Sequence, residues 1–282
     1  MTTIITHRGL DPERNNYTES SFYVFLDHLK RGYGIEFDIR KTKDGRLVVI
    51  HDDNLTRITE GKDTRSIKDL KLNEILNINI SNSKITELSQ ILNIIKLFST
   101  PKSISALHLK SSTQDRETLD ILVSELKYTD LNKIIVFDVL KDTAIYLKNA
   151  LPNIQLAPSV AHPYDIERYN KLVGGTLWNI KDVLENKNLF YGVWLDEWDI
   201  LDKNGISKTL YTKEIFDTCR SVSLKIFLVT PELHFSSPGL YGGESHQDAI
   251  SEKKLIRRIK KIITLNPDGL CTDYPDKVKK LL

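Results

Sequence analysis

Short apolar runs alternate along the chain with longer stretches in which apolar residues recur every three or four positions. The runs Thr3–Thr6, Gly34–Ile39, Leu47–Ile50, Ile104–Leu109, Lys133–Asp138, Ile154–Ser159, Gly192–Asp196, Lys225–Thr230 and Gly269–Thr272 read as strands. Several are apolar throughout rather than alternating, which suits parallel strands buried on both faces. Between them, Phe22, Phe25, Leu26 and Leu29 follow helical spacing, as do Leu88, Ile91, Leu92 and Ile95. Leu119, Leu122, Val123 and Leu126 form a third such stripe, and Ile256, Ile259, Ile262 and Ile263 a fourth. Repeated strand–helix alternation predicts an α/β fold with a parallel sheet. The number of repeats fits a closed (β/α)8 TIM barrel better than an open sheet. The surplus strand, Leu47–Ile50, is expected to pair with Gly34–Ile39 through the turn Lys43-Asp44-Gly45. The polar segment that follows, with a helix-like patch at Leu70–Leu76, reads as a small insertion at about 45–83. The whole chain, 1–282, is then expected to form one barrel domain.

In such a barrel, reactive groups gather at the C-terminal ends of the strands. Here those ends carry His7-Arg8, Glu36 and Asp38, His51-Asp52, His108 and Lys110, Asp138, His162, Asp196-Glu197, Glu232 and Asp273. A scaffold protein has little use for so many ionisable groups at one rim, because an unpaired buried charge costs several kcal/mol. Residues 36 and 38 face the same side of a strand, and two carboxylates aimed together repel unless a cation lies between them. Oxygen donors of this kind suit Mg²⁺ or Ca²⁺. His7 and His51 each end an apolar strand, and an imidazole pair can supply a general base and a general acid near neutral pH. Taken singly, a Glu-x-Asp pair is a solvated strand face and a lone histidine is a satisfied core residue. The combination carries the weight: His-Arg-Gly, Glu-x-Asp, a Lys-Asp-Gly turn, a strand and His-Asp follow one another within 52 residues.

Composition narrows the partners. Forty Lys and Arg against 38 Asp and Glu give a formal charge of +2, which carries no electrostatic footprint for nucleic acid or an anionic membrane. No apolar run reaches the roughly 18 residues of a membrane span. The opening residues show no basic and then apolar signal segment. The two cysteines, Cys219 and Cys271, form no disulfide framework. A cytoplasmic protein acting on a small molecule is the expectation, without nucleic acid or membrane insertion.

With these residues in order, the sequence resembles the glycerophosphodiester phosphodiesterases, a (β/α)8-barrel family related in layout to phosphatidylinositol-specific phospholipases C. The resemblance rests on Ile5-Thr6-His7-Arg8-Gly9, on Gly34-Ile35-Glu36-Phe37-Asp38-Ile39-Arg40, on Thr42-Lys43-Asp44-Gly45 and on Val48 to Thr59. At the far end it rests on Pro267-Asp268-Gly269-Leu270-Cys271-Thr272-Asp273-Tyr274-Pro275. It implies a metal-dependent phosphodiesterase that hydrolyses a glycerophosphodiester to glycerol phosphate and an alcohol. His7 and His51 would be the acid–base pair, Glu36 and Asp38 metal ligands, and Arg8 and Lys110 phosphate contacts. Two alternatives stay open: a lyase that stops at a cyclic phosphate, and a barrel that binds phosphorylated or glycan ligands without turnover.

The chain departs from the family pattern at two places. The third ligand is usually a glutamate on the third strand; here Ala106-Leu107-His108-Leu109-Lys110 puts a histidine there. Three outcomes are open: His108 ligates and shifts the preference toward Mn²⁺ or Zn²⁺, Asp196 or Glu232 compensates, or His108 does not ligate. The usual Pro-Glu-Asn-Thr run is replaced by Asn15-Asn16-Tyr17-Thr18, with Glu13 and Asn16 as candidates for its polar role. Trp194 and Trp198 read as pocket lining or core, the glycine-rich stretch from Pro238 to His246 as a lid or a surface loop, and Arg257-Arg258 with Lys260-Lys261 as a solvated helix face.

Overall fold

The computed structural model describes residues 2–14, 18–80, 83–233 and 246–282. Its strands are β1 (Thr3–His7), β2 (Gly34–Lys41), β3 (Leu47–Val49), β4 (Asn79–Ile80), β5 (Ser83–Lys84), β6 (Thr86–Glu87), β7 (Ser105–His108), β8 (Ile134–Phe137), β9 (Gln155–Ala157), β10 (Ser159–Val160), β11 (Leu177–Trp178), β12 (Gly192–Leu195), β13 (Lys225–Val229) and β14 (Gly269–Thr272). The α-helices are α1 (Phe22–Lys30), α2 (Leu72–Ile75), α3 (Leu88–Phe98), α4 (Arg116–Leu126), α5 (Lys141–Ala150), α6 (Pro163–Tyr169), α7 (Ile180–Glu185), α8 (Lys213–Ser221), α9 (Glu252–Ile263) and α10 (Pro275–Lys279).

The barrel strands pair in parallel in the order β10-β12-β13-β14-β1-β2-β7-β8-β9. β9 and β10 are two halves of one strand, broken at Pro158, which has no N–H to donate to a ladder. The Tyr191 and Trp194 N–H groups donate to the carbonyls of Leu156 and Pro158 across the break, at 2.9 and 3.0 Å, and close the ring. The sequence suggested one continuous strand there and gave no sign of β11, a two-residue strand that pairs beside β10.

Period-2 alternation sorts the side chains into two cores. Ile4, Ile35, Phe37, Ile39, Leu107, Ile226, Leu228 and Leu270 point outward and pack beneath the helices. Ile5, Ala106, Ile135, Phe137, Trp194, Phe227, Val229 and Cys271 fill the barrel interior. This is why the strands read as unbroken apolar runs. The inward register also places the polar groups. His7 follows Ile5 by two residues and pairs with Glu36, Asp38 pairs with His108, and Asp273 follows Cys271 by two. Apolar floor and ionisable rim are one alternation read along the same strands.

β2 continues as a hairpin into antiparallel β3, with Ile39 opposite Val49, as the turn chemistry suggested. The Thr42 N–H donates to the Arg46 carbonyl at 2.8 Å, and Gly45 takes a left-handed φ of 71°. Beyond β3, Val48, Ile50, Leu55, Ile67, Leu70, Ile75, Ile80 and Ile85 form a small separate cluster. That cluster roofs the segment carrying α2 and the β4–β5 hairpin. Among the described residues no helix is long and apolar enough to cross a membrane.

Candidate active site

The His-Arg-Gly sequence makes a tight corner at the end of β1. Arg8 and Gly9 both have left-handed backbone, φ 51° and 71°. A Cβ on residue 9 would lie 2.5 Å from Cγ1 of Val24, so only glycine fits. The corner turns the Arg8 N–H toward Glu36, where it donates to the carbonyl at 3.1 Å and to Oε2 at 3.2 Å. Gly9→Ala is expected to destabilise the protein by about 1–3 kcal/mol, read as a lowered thermal midpoint. An unchanged midpoint would mean that the corner relaxes without strain.

His7 is buried, and its Nδ1 lies 2.8 Å from Oδ1 of the fully buried Asp273. Asp273 is fixed in turn: its N–H donates to Oε1 of Glu232 at 3.3 Å, and the same oxygen accepts from the hydroxyls of Thr230 and Thr272. With Nδ1 held by a carboxylate, Nε2 is the nitrogen left for chemistry.

Glu36, Asp38 and His108 come together as the alternation requires: one ligand atom from each lies within 4.8 Å of the others. Donors 2.0–2.6 Å from a shared ion stand at most about 5 Å apart, so the spacing suits a divalent cation. Among the described residues no other cluster of this kind occurs, and neither Asp196 nor Glu232 joins this one. Asp38 is surrounded by positive charge. Arg8 Nε is 3.5 Å from its Oδ2, and Lys110 Nζ and His108 Nδ1 are 3.3 and 2.9 Å from its Oδ1. Burial favours its neutral form, but Lys110, His51 and His108 outweigh it and hold the carboxyl well below the usual range. Glu36 moves the other way, raised by burial and by the charge on Asp38. Oδ2 of Asp38 is buried without a hydrogen-bond partner, an unmet acceptor that an ion would satisfy. Two carboxylates and an imidazole with this spacing and this orphaned oxygen therefore fit a divalent metal.

His51 reaches the site through the β2–β3 hairpin. The Ile50 N–H donates to the Asp38 carbonyl at 3.1 Å, which sets His51 one residue further toward the centre. Its own carbonyl accepts from Lys110 Nζ at 3.1 Å and from Arg40 at 2.7 and 3.2 Å, tying the turn to the rim. Its Nδ1 lies 2.7 Å from Asp52 Oδ1. Asp52 is gripped by Arg57, whose guanidinium also spans both oxygens of Glu19 at 2.5 and 3.0 Å. Burial, helped by the charges of Arg8 and Lys110, pushes the His51 imidazole down to about 4 despite Asp38 and Asp52. Both imidazoles act electrostatically on the acidic pair, His7 on Glu36 and His51 on Asp38.

The seven residues given a catalytic, metal or phosphate role from the sequence, His7, Arg8, Glu36, Asp38, His51, His108 and Lys110, thus lie at one rim. Asp52, Arg57, Glu19, Asp138 and Asp273, which hold the imidazoles, had no assigned role there. The signal for Asp273 was its place two residues beyond an inward Cys271; Glu19 and Arg57 offered none. Several rim candidates serve structure instead. Glu197 accepts from the N–H groups of Leu210 and Tyr211 and pairs with Arg258, and His162 caps α6. Trp194 is core, stacked between Phe137 and Phe227, and Trp198 packs edge-on against Tyr169. Glu13 pairs with Lys277 at the surface. Asn15, Asn16, Tyr17 and the glycine-rich stretch up to Ser245 lie outside the described residues. Its last residue, His246, is buried against Glu197.

The Glycerophosphoryl diester phosphodiesterase family matches residues 7–277, and the chain belongs to that family. A glycerophosphodiester phosphodiesterase of Bacillus altitudinis is 25% identical over 293 residues, covering 100% of this chain and 98% of that protein. Among solved structures, the glycerophosphodiester phosphodiesterase of Thermotoga maritima superposes with a TM-score of 0.64 at 20% identity, covering 100% of this chain and 99% of that one. A phosphodiesterase of Oleispira antarctica, solved with the product sn-glycerol-3-phosphate, gives 0.64 at 16% identity, covering 100% and 96%. These two show the shared fold.

Proposed function

We propose that this protein hydrolyses a small glycerophosphodiester to glycerol phosphate and an alcohol, using a divalent ion and the His7–His51 pair. The observation that carries the reading is the arrangement around Asp38 and Glu36. Two imidazoles, each anchored at Nδ1 by its own carboxylate, border one acidic pair flanked by Arg8 and Lys110. The sn-glycerol-3-phosphate bound to the Oleispira antarctica phosphodiesterase supports glycerol phosphate as the product class.

Glu36, Asp38 and His108 would hold the ion, which when bound polarises the phosphoryl oxygens as a Lewis acid. Arg8 and Lys110 bind and neutralise the phosphate. His51 is kept neutral down to about pH 4, so its Nε2 takes the proton from the attacking water, whose oxygen forms the new bond to phosphorus as the bond to the leaving alcohol oxygen breaks. His7, held at Nδ1 by Asp273, gives a proton from Nε2 to the leaving oxygen.

A coupled assay with glycerophosphocholine and related diesters tests this. Alcohol release is expected with a divalent ion and none after EDTA; full activity in EDTA would end the metal-dependent reading. Because the base must be unprotonated, the acid limb of kcat/KM, measured with the divalent ion saturating at each pH so that protonation of His108 does not enter, is expected well below 6.5, toward 4. A limb at 6.5 or above would remove His51 as the base. A cyclic phosphate accumulating in phosphorus NMR would identify a lyase instead.

A further inference from the structure

Where the family resemblance implies a carboxylate this chain carries His108, and the structure surrounds that imidazole with groups that fit it. Its Nδ1 faces Asp38 Oδ1 at 2.9 Å, and its Nε2 faces Asp138 Oδ2 at 3.2 Å. The ring lies flat on Phe137, with centroids 4.6 Å apart and planes 14° from parallel. Phe137 stacks in the same way on Trp194 at 4.0 Å. The imidazole is therefore fixed both in plane and in rotation. Asp138 is held just as firmly. It takes a left-handed φ of 67°, unusual for a residue with a side chain. Gln114 clamps that turn: its amide donates to the carbonyls of Leu109 and Asp138 at 2.7 and 2.8 Å and accepts from the Leu140 N–H at 2.9 Å. A strained backbone secured from three sides points to a functional constraint on the side chain it carries.

We infer that Asp138 is the positioning residue that makes His108 a metal ligand, and that the site is thereby tuned to a first-row transition ion such as Zn²⁺ or Mn²⁺ rather than Ca²⁺ or Mg²⁺. The inference rests on the metal-dependent reading above. With an ion in place of the Nδ1 proton, Asp138 would accept the Nε2–H, fix that tautomer and leave the Nδ1 lone pair to the ion shared with Glu36 and Asp38. A carboxylate behind a ligating imidazole raises its basicity as well as orienting it. An imidazole is a softer donor than the carboxylate it replaces. Ca²⁺ needs six to eight oxygens and Mg²⁺ an octahedron of them, so both lose most by the exchange.

Isothermal titration of the metal-stripped full chain with Zn²⁺, Mn²⁺, Mg²⁺ and Ca²⁺ tests this without reference to turnover. Most nitrogen–oxygen sites rank Zn²⁺ above Mg²⁺, so the deciding quantity is how the preference changes between variants. Asp138→Asn is expected to weaken Zn²⁺ roughly 10- to 100-fold with little change for Mg²⁺. His108→Glu, which needs no help from Asp138, is expected to narrow the Zn²⁺-to-Mg²⁺ ratio by at least about tenfold on the same grounds. Wild-type Zn²⁺ affinity in Asp138→Asn, or an unchanged ratio in His108→Glu, would overturn the inference. If none of the four ions binds the wild-type protein, the metal-dependent reading itself fails. Circular dichroism of each variant confirms that the fold being compared is intact.

Discussion

His51→Ala is expected to lower kcat on a glycerophosphodiester by about 10²–10⁴-fold, the range that a positioned general base contributes. Its unfolding midpoint should change little. Asp52 keeps its pairing with Arg57 when the ring is gone, and the carbonyl of residue 51 still accepts from Lys110 and Arg40. His7→Ala is expected to cost a similar factor in kcat and some stability too, because the fully buried Asp273 loses its imidazole partner. The two variants therefore share a kinetic defect and differ in thermal behaviour. Steady-state kinetics with thermal unfolding on the same preparations checks both. A rate near wild type in either variant would strip that histidine of its role.

The second large effect is on stability in the metal-free protein. The His108 pKa is set by opposing causes. Burial lowers it, but hydrogen bonds and charge from Asp138 and Asp38 carry it from 6.5 up to about 9. A raised pKa stabilises the fold fully below the unfolded value and loses that contribution as pH climbs through the folded one. His108 therefore destabilises the protein progressively from pH 6.5 to about 9. At about 1.4 kcal/mol per pH unit, discounted because a quarter of the side chain is exposed, the loss amounts to about 2–3 kcal/mol. His51 and His28 act in reverse. Burial lowers both to about 4, so the fold resists protonating them while the unfolded chain does not, and stability falls from pH 6.5 toward 4. Denaturant unfolding in EDTA is thus expected to show maximal stability near pH 6.5. His108→Gln should flatten the alkaline side alone. A wild-type profile flat from pH 6.5 to 9 would show that His108 is not held as a cation between its two carboxylates.

The legible part of this protein was the part governed by alternation along strands. His7 and His108 face inward because each lies two residues beyond an apolar interior position, Ile5 and Ala106, and Glu36 and Asp38 do so because they alternate with the outward Ile35, Phe37 and Ile39. The hairpin that returns His51 to the rim was readable from Lys43-Asp44-Gly45 and the apolar run behind it. The split at Pro158 was foreseeable in principle, since proline cannot donate to a ladder, yet the run around it is apolar enough to hide the break. Two-residue β11 leaves too short a pattern to register. Asp52, Asp138 and Asp273 were visible as strand-end carboxylates, but their roles in orienting the imidazoles were hidden for another reason. Asp138 and Asp273 meet their histidines across 30 and 266 residues of sequence, and contacts at such range follow from barrel closure rather than from local spacing. Glu19 joined the His51 network through Arg57, 38 residues away, from a stretch where the family pattern itself is altered.

The most direct test of the account is a crystal structure of the protein with a divalent ion and sn-glycerol 3-phosphate. The account expects the phosphate at the barrel rim, with Nε2 of both His7 and His51 within about 2.6–3.2 Å of its oxygens and the ion held by Glu36, Asp38 and His108. A phosphate bound elsewhere, or touching only one of the two imidazoles, would contradict it.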